Sequence, residues 1–225
     1  LLPTPVITLT DINTFGDRGL IGIATDPNFA TNGYLYLSYT YENSPGANFG
    51  GAKTGRIVRV TVVGNVASES SKLVLVGTEG GSAAGPSCEN YAIGTDCIPS
   101  DSPSHTVGGL RFGPDGLLYA TLGDGADFSA VDPRALRAQN VDSLGGKVLR
   151  INPDGTAPIS NPFYNGNPNA NRSKVYALGV RNMFRLNFHP VTGALFGGDV
   201  GWSTWEEIDI VENGVVPPPA AAAPD

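Results

Sequence analysis

Residues Ser104 to Asp127 read SHTVGGLRFGPDGLLYATLGDGAD, and the reading of this stretch decides the fold. Leu110 and Phe112 alternate with polar or small neighbours, Pro114-Asp115-Gly116 supplies a turn, and Leu117 to Leu122 resume an apolar run. Two strand-like runs about such a turn predict a β-hairpin. Antiparallel pairing returns the chain to the end of the sheet from which it set out. His105, ahead of the first strand, and Asp124, after the second, are therefore expected at the same end. A carboxylate beside an imidazole fixes its tautomer and raises its basicity, so the two residues form a candidate acid/base pair.

The same pattern extends in both directions. From Asp17, DRGLIGIATDPNFATNGYLYLSYTY gives another hairpin about an Asp-Pro turn. Ser44 to Lys53 is a glycine-rich loop, and Gly55 to Val63 is a strand with Ile57, Val58 and Val60 as core candidates. A strand over Lys72 to Val76 precedes a long loop, Gly77 to Ser104, of a length usually found in functional or disordered segments. Beyond the opening hairpin, Gly146 to Gly155 is a strand closed by an Asn-Pro-Asp-Gly turn, and Val175 to Gly201 reads as strand, turn, strand about His189-Pro190. Only Asp132 to Asn140 reads as helical.

These turns repeat. Asp26-Pro27, Gly113-Pro114 and His189-Pro190 each precede a glycine and an apolar strand, while GRIVRV at Gly55 resembles GKVLRI at Gly146. A period well above that of solenoids, with about four strands per repeat, predicts an all-β fold built of β-propeller blades. About three blades are fewer than a closed ring needs. Residues 1–214 are thus expected to form a partial propeller domain whose exposed blade edges are covered by further chain or another subunit. Residues 215–225, VVPPPAAAAPD, are expected to be a low-complexity tail or linker.

Composition agrees with many short strands: the 225 residues include 30 glycines and 18 prolines. A net charge of −7, with 14 lysines and arginines scattered without a basic stripe, argues against nucleic acid and anionic membrane as partners. No apolar segment is long enough for a membrane span, and no signal peptide is visible at Leu1, as expected of a mature or truncated chain. Cys88 and Cys97 flank the polar loop CENYAIGTDC, which no nearby histidine completes into a zinc site. A loop-stapling disulfide, with free thiols as the alternative, favours an oxidising compartment. Asn171-Arg172-Ser173 is a glycosylation sequon.

Four segments together resemble the glucose/sorbosone dehydrogenase family, soluble six-bladed propellers that oxidise aldoses with pyrroloquinoline quinone (PQQ) and calcium. They are GDRGLIGIATDPNFATNGYLYLSY, SHTVGGLRFGPDGLLYATLGDG, AQNVDSLGGKVLRINPDG with NPFY, and YALGVRN followed by LNFHPVTGALFGGDVG. The resemblance runs from Gly16 to Glu212 and covers roughly the first half of such a propeller. It implies that His105 is the base that takes the sugar C1 hydroxyl proton while hydride passes to the quinone, and that Asp124 holds this histidine. It places Arg181 in catalysis and, with Asn182, against the cofactor. Asp17 stands at a cofactor-facing position where the family usually has glutamine. Gly201 and Trp202 fall where backbone carbonyls hold calcium, an ion suited to oxygen ligands. Met183 and Trp202 replace family prolines, and the basic residues that clamp the cofactor carboxylates belong to the family's later blades.

The resemblance therefore implies a secreted protein, extracellular or periplasmic, that uses a sugar substrate and an external electron acceptor. A non-catalytic extracellular propeller for adhesion, carbohydrate or protein binding is the alternative, because fold does not fix function. Arg181 also has a structural reading, as an ion-pair partner of Asp124 or Asp199. His189 and the turn residues Asp115, Gly116, Asp154 and Gly155 are accounted for by turn chemistry, and Glu206, Glu207 and Asp209 by a solvated strand face.

Overall fold

A computed structural model describes residues 1–43, 49–80, 86–212 and 214–215. The described chain is all-β, arranged as three successive sheets. The first contains β1 (Leu20–Thr25), β2 (Tyr34–Tyr41), β3 (Lys53–Val63), β4 (Val66–Ala67), β5 (Leu73–Val76) and β6 (Ile98–Ser100). Strands β1, β2 and β3 form an antiparallel meander, and the free side of the long β3 takes β6 at residues 53–55 and β5 at residues 57–59. The second sheet runs β7 (Val107–Phe112), β8 (Leu118–Leu122), β9 (Lys147–Ile151) and β10 (Val175–Leu178), antiparallel throughout. The third contains β11 (Met183–Phe188), β12 (Leu195–Asp199) and β13 (Glu207–Val211). The backbone of β14 (Gly214–Val215) joins the second sheet in parallel beside β10.

The period-2 pattern of β3 explains how the layers stack. Ile57 faces a core shared with the second sheet, where Val107, Leu118, Leu149 and Ile151 are buried. Val58 and Val60 face the other way, into a core that Ile7, Leu9 and Ile12 of the N-terminal segment pack against. Tyr119, Val148 and Ala177 join the second sheet to Met183, Leu195 and Val211 of the third. Each fully buried branched side chain removes about 1.5–3 kcal/mol worth of apolar surface from water.

The leading strands of the three sheets converge because glycines let their backbones touch. A Cβ on Gly22 would lie 2.7 Å from the Gly108 carbonyl oxygen, and one on Gly108 would lie 2.6 Å from that of Met183. β1, β7 and β11 thus run side by side, with the loops entering them gathered at one end.

Several expectations are refined. The hairpin about Pro114-Asp115-Gly116 forms as β7 and β8, and the turn at His189-Pro190 joins β11 to β12, but Val175–Gly201 holds a further strand in another sheet: β10 belongs to the second sheet and β11 opens the third. Sequence periodicity registers apolar strands but not the sheet to which each belongs. Lys53 belongs to β3 rather than to the glycine-rich loop, because its ammonium finds a buried partner, Glu42, at 2.8 Å. Of that loop, residues 44–48 lie outside the described residues. The segment 77–104 contains β6 and a 3₁₀ turn at Cys88–Asn90, and residues 81–85 of it are not described. Cys88 and Cys97 are bonded, with Cα atoms 5.7 Å apart, and a loop of this size is stabilised by about 2 to 3 kcal/mol.

The expected helix is a 3₁₀ helix, Pro133–Gln139, capped by the Asp132 side chain. Single α turns occur at Phe29–Asn32 and Asn171–Lys174. Of the tail expected from Val215, only Val215 is described, paired with Leu178, and 216–225 lie outside the described residues.

The two faces of β13 differ from expectation: Glu207 and Asp209 share the face that ends at buried Val211, with Asp209 half-buried, and the isoleucines occupy the opposite face. Ile208 and Ile210 are 82% and 55% exposed, and Trp202 and Trp205 in the preceding loop are exposed beside them. Glu206 and Glu207 are exposed as expected; what alternation could not tell is that the isoleucine face is left open as well, because it shows which residues share a face and not which face is covered.

Candidate active site

The loop into β7 and the loop out of β8 deliver His105 and Asp124 together, as the hairpin geometry predicts. Asp124 Oδ1 lies 2.9 Å from His105 Nδ1, and the two residues are 3% and 4% exposed. The same carboxylate oxygen accepts the Ala126 N–H at 2.8 Å, so it is fixed as an acceptor. An acceptor opposite Nδ1 places the ring proton there and leaves the Nε2 lone pair available. His105 is the only non-glycine residue with positive φ among those described, at 52°. Such a backbone conformation persists only when its surroundings over-determine it. Here the Gly125 N–H donates to His105 O at 2.9 Å and the Gly123 N–H to Thr106 O at 2.7 Å.

Arg181 lies in the crossing from β10 to β11. Its carbonyl accepts the Asp124 N–H at 2.8 Å, which ties the third sheet's entry loop to the dyad. The structural reading of Arg181 anticipated an ion pair with Asp124 or Asp199, and the backbone makes both contacts instead. Asp199 Oδ2 accepts the Arg181 N–H at 2.8 Å, and Oδ1 accepts the Asn182 N–H at 2.6 Å. The guanidinium donates from Nη1 to Val200 O at 2.8 Å and to Gly201 O at 2.9 Å, and has no carboxylate partner among the described residues. Arg181 and Asn182 are half-buried.

Asp17 is exposed, and its N–H donates to Pro103 O at 2.9 Å, two residues ahead of His105. Gly201 donates its N–H to Glu206 Oε2 at 3.1 Å, and Trp202 beside it is exposed. One set of backbone hydrogen bonds thus links the loops carrying Asp17, His105, Asp124, Arg181 and Asn182, with Gly201 joined through the Arg181 guanidinium.

Sequence reasoning missed the residues that hold these loops. Buried Arg18 donates to Ser100 O at 2.8 Å and to Ser102 O at 3.1 Å, bracing the approach to His105. Burial lowers its guanidinium to about 10, with the charges of Glu42 and Asp101 pulling it back. Lys147 at the start of β9 donates Nζ to Arg137 O, Ala138 O and Gly145 O, tying the 3₁₀ helix to the loop behind Asp124. Burial, then the charge of Arg137, push its ammonium down to about 7. Asp199 is pushed up to about 6 by burial, against the pull of its two N–H donors. The signal available was a charged residue at an otherwise apolar or glycine-rich strand end for Lys147 and Asp199, and in the glycine-flanked loop ahead of β1 for Arg18.

The glucose / sorbosone dehydrogenase family model matches residues 2–215. HIPL2 protein of Arabidopsis thaliana is 32% identical over 249 aligned residues, covering 94% of this chain and 34% of its own length. Quinoprotein glucose dehydrogenase B of Acinetobacter calcoaceticus is 29% identical over 211, covering 88% and 39%. The solved PQQ-bound aldose sugar dehydrogenase of Streptomyces coelicolor superposes with a TM-score of 0.61 at 26% identity, over 93% of this chain and 50% of that one. The chain therefore spans between about a third and a half of the length of these relatives. On the strength of a match that runs almost end to end, the chain belongs to the glucose / sorbosone dehydrogenase family.

Proposed function

We propose that the full-length protein is a secreted, PQQ-dependent aldose dehydrogenase that oxidises the sugar C1 hydroxyl, and that this chain supplies its base and one of its cations. The observation that carries the reading is the buried His105–Asp124 pair joined through a peptide to Arg181, a guanidinium without a carboxylate partner among the described residues. A base held in one tautomer beside a free positive charge suits removal of a hydroxyl proton as negative charge develops nearby.

PQQ, an anionic quinone, is matched in charge by Arg181; Arg181 and Asn182 would hold it from this chain, whereas the Asp17 carboxylate at the third cofactor-facing position opposes it in charge. When bound it supplies a two-electron acceptor for the C1 hydride. His105 takes the C1 hydroxyl proton on Nε2, Asp124 stabilises the resulting imidazolium, and the sugar leaves as a lactone. Arg181 stabilises the negative charge gained on reduction.

Calcium fits less well. The Gly201 and Trp202 carbonyls offer two oxygens where the ion takes about six to eight. Gly201 O already accepts from Arg181, and no cluster of acidic, histidine or cysteine side chains able to hold a metal occurs among the described residues. No step here runs through calcium.

The three stacked sheets support reading the chain as a partial propeller of about three blades, and a ring needs about four or more. Further chain or another subunit is accordingly expected on the Ile208 and Ile210 face. The isolated 225-residue chain should self-associate through that face, and Ile208→Lys should reduce the association in sedimentation experiments. A monodisperse wild-type monomer would count against a covered face. Secretion accords with the Cys88–Cys97 bond. No helix among the described residues is long and apolar enough to cross a membrane.

Calorimetric titration of PQQ into the full-length protein tests the cofactor assignment. Saturable binding weakened by Arg181→Ala supports it. Absence of binding, with or without added calcium, rejects it in favour of the non-catalytic extracellular propeller.

A further inference from the structure

We infer that Asp199 is a positioning residue for the site: its carboxylate fixes the Arg181-Asn182 turn and, through the Arg181 peptide, the backbone of Asp124. Asp199 ends β12, opposite Met183 of β11 on one side and Glu207 of β13 on the other. It is 8% exposed and touches the turn with both oxygens, Oδ2 accepting from Arg181 N and Oδ1 from Asn182 N. Two consecutive N–H groups converging on one carboxylate allow that turn a single orientation. The Arg181 carbonyl at the other end of this residue accepts the Asp124 N–H at 2.8 Å, and Asp124 holds His105. The ring closes on itself, because the Val200 N–H donates to Asn182 O at 3.2 Å and the Arg181 guanidinium returns to Val200 O and Gly201 O.

The chemistry requires a carboxylate in particular. A backbone turn between sheets can be held by any single acceptor, yet here two donors 2.8 and 2.6 Å away need two acceptors. An asparagine offers one oxygen and turns an NH₂ toward the second N–H, which then has no partner. A buried carboxylate is costly to keep at a strand end, and what it secures is the entry loop bearing Arg181 and Asn182.

The inference rests on the proposed dehydrogenase reading only for its kinetic part. Asp199→Asn and Asp199→Glu in the full-length protein are the test. In Asp199→Asn, amide hydrogen exchange at Arg181, Asn182 and Asp124 should quicken about tenfold or more, with Leu122 and Val148 in β8 and β9 unchanged. The ¹⁵N shifts of the His105 ring should move, and turnover with PQQ should fall about tenfold with little change in KM. Asp199→Glu, which keeps both acceptor oxygens, should recover part of each effect. Unchanged exchange at Arg181 and Asn182, or acceleration spread evenly across β8 and β9 with an unmoved His105 signature, would overturn the inference. If the wild type oxidises no aldose, the functional reading fails alone, and the exchange and ring-shift measurements still decide the role of Asp199.

Discussion

Replacing His105 with alanine is expected to lower aldose turnover of the PQQ-reconstituted full-length protein by roughly 100-fold or more, the usual scale for loss of a general base. Among the described residues the imidazole bonds to Asp124, at 2.9 Å, and this bond sets the proton on Nδ1 and leaves the Nε2 lone pair available. Without the ring, the proposed proton acceptor of this chain is gone. Stability should change much less than turnover, because the His105 carbonyl and its neighbours keep their backbone bonds to Gly125 and Gly123. Asp124→Asn should also slow turnover by stabilising the wrong tautomer, since an amide can donate to Nδ1. Turnover within twofold of wild type in His105→Ala would remove the histidine from the mechanism.

The second large effect is expected at a residue with no side chain. A Cβ on Gly123 would lie 2.3 Å from His105 O and 2.5 Å from His105 C, and both are backbone atoms. The glycine cannot retreat: its N–H donates to Thr106 O at 2.7 Å, and its carbonyl accepts the Gly146 N–H at 3.0 Å. Gly123→Ala should therefore cost about 3 kcal/mol, at the upper end of overpacking effects. It should also reduce turnover nearly as far as loss of His105, because the clash separates His105 from Asp124. Gly198→Ala, where a Cβ meets nothing within 4 Å, is the matched control and should be near neutral. Thermal unfolding and steady-state rates measured on both variants check this. Wild-type stability and turnover in Gly123→Ala would mean that the close approach of the two loops is unimportant.

The sequence made the dyad legible for a local reason. A hairpin with a Pro-Asp-Gly turn brings its two ends together whatever the rest of the chain does, and His105 and Asp124 are those ends. The core of β3 was legible for the same reason, with Ile57, Val58 and Val60 alternating across a strand buried on both faces. In Val175–Gly201 the turn at His189-Pro190 was legible, whereas the division of the run before it into β10 and β11 was not, because the change of sheet occurs in the short crossing at Gly179–Asn182, where strand periodicity carries no information. The alternative structural reading of Arg181, an ion pair with Asp124 or Asp199, gave the right neighbours but the wrong group, because its backbone makes both contacts. The three supports, Arg18, Lys147 and Asp199, bond mainly to main-chain groups of irregular loops, from 2 residues away for Lys147 to 84 for Arg18. Such contacts leave no spacing to read.

The most direct test of the account is anaerobic stopped-flow mixing of an aldose with the PQQ-loaded full-length protein, following the quinone absorbance in wild type and in His105→Ala. The account predicts a single-turnover reduction in the wild type that slows by roughly 100-fold in the variant while PQQ stays bound. Bound quinone that remains oxidised with every aldose offered, or that is reduced equally fast without His105, would contradict it.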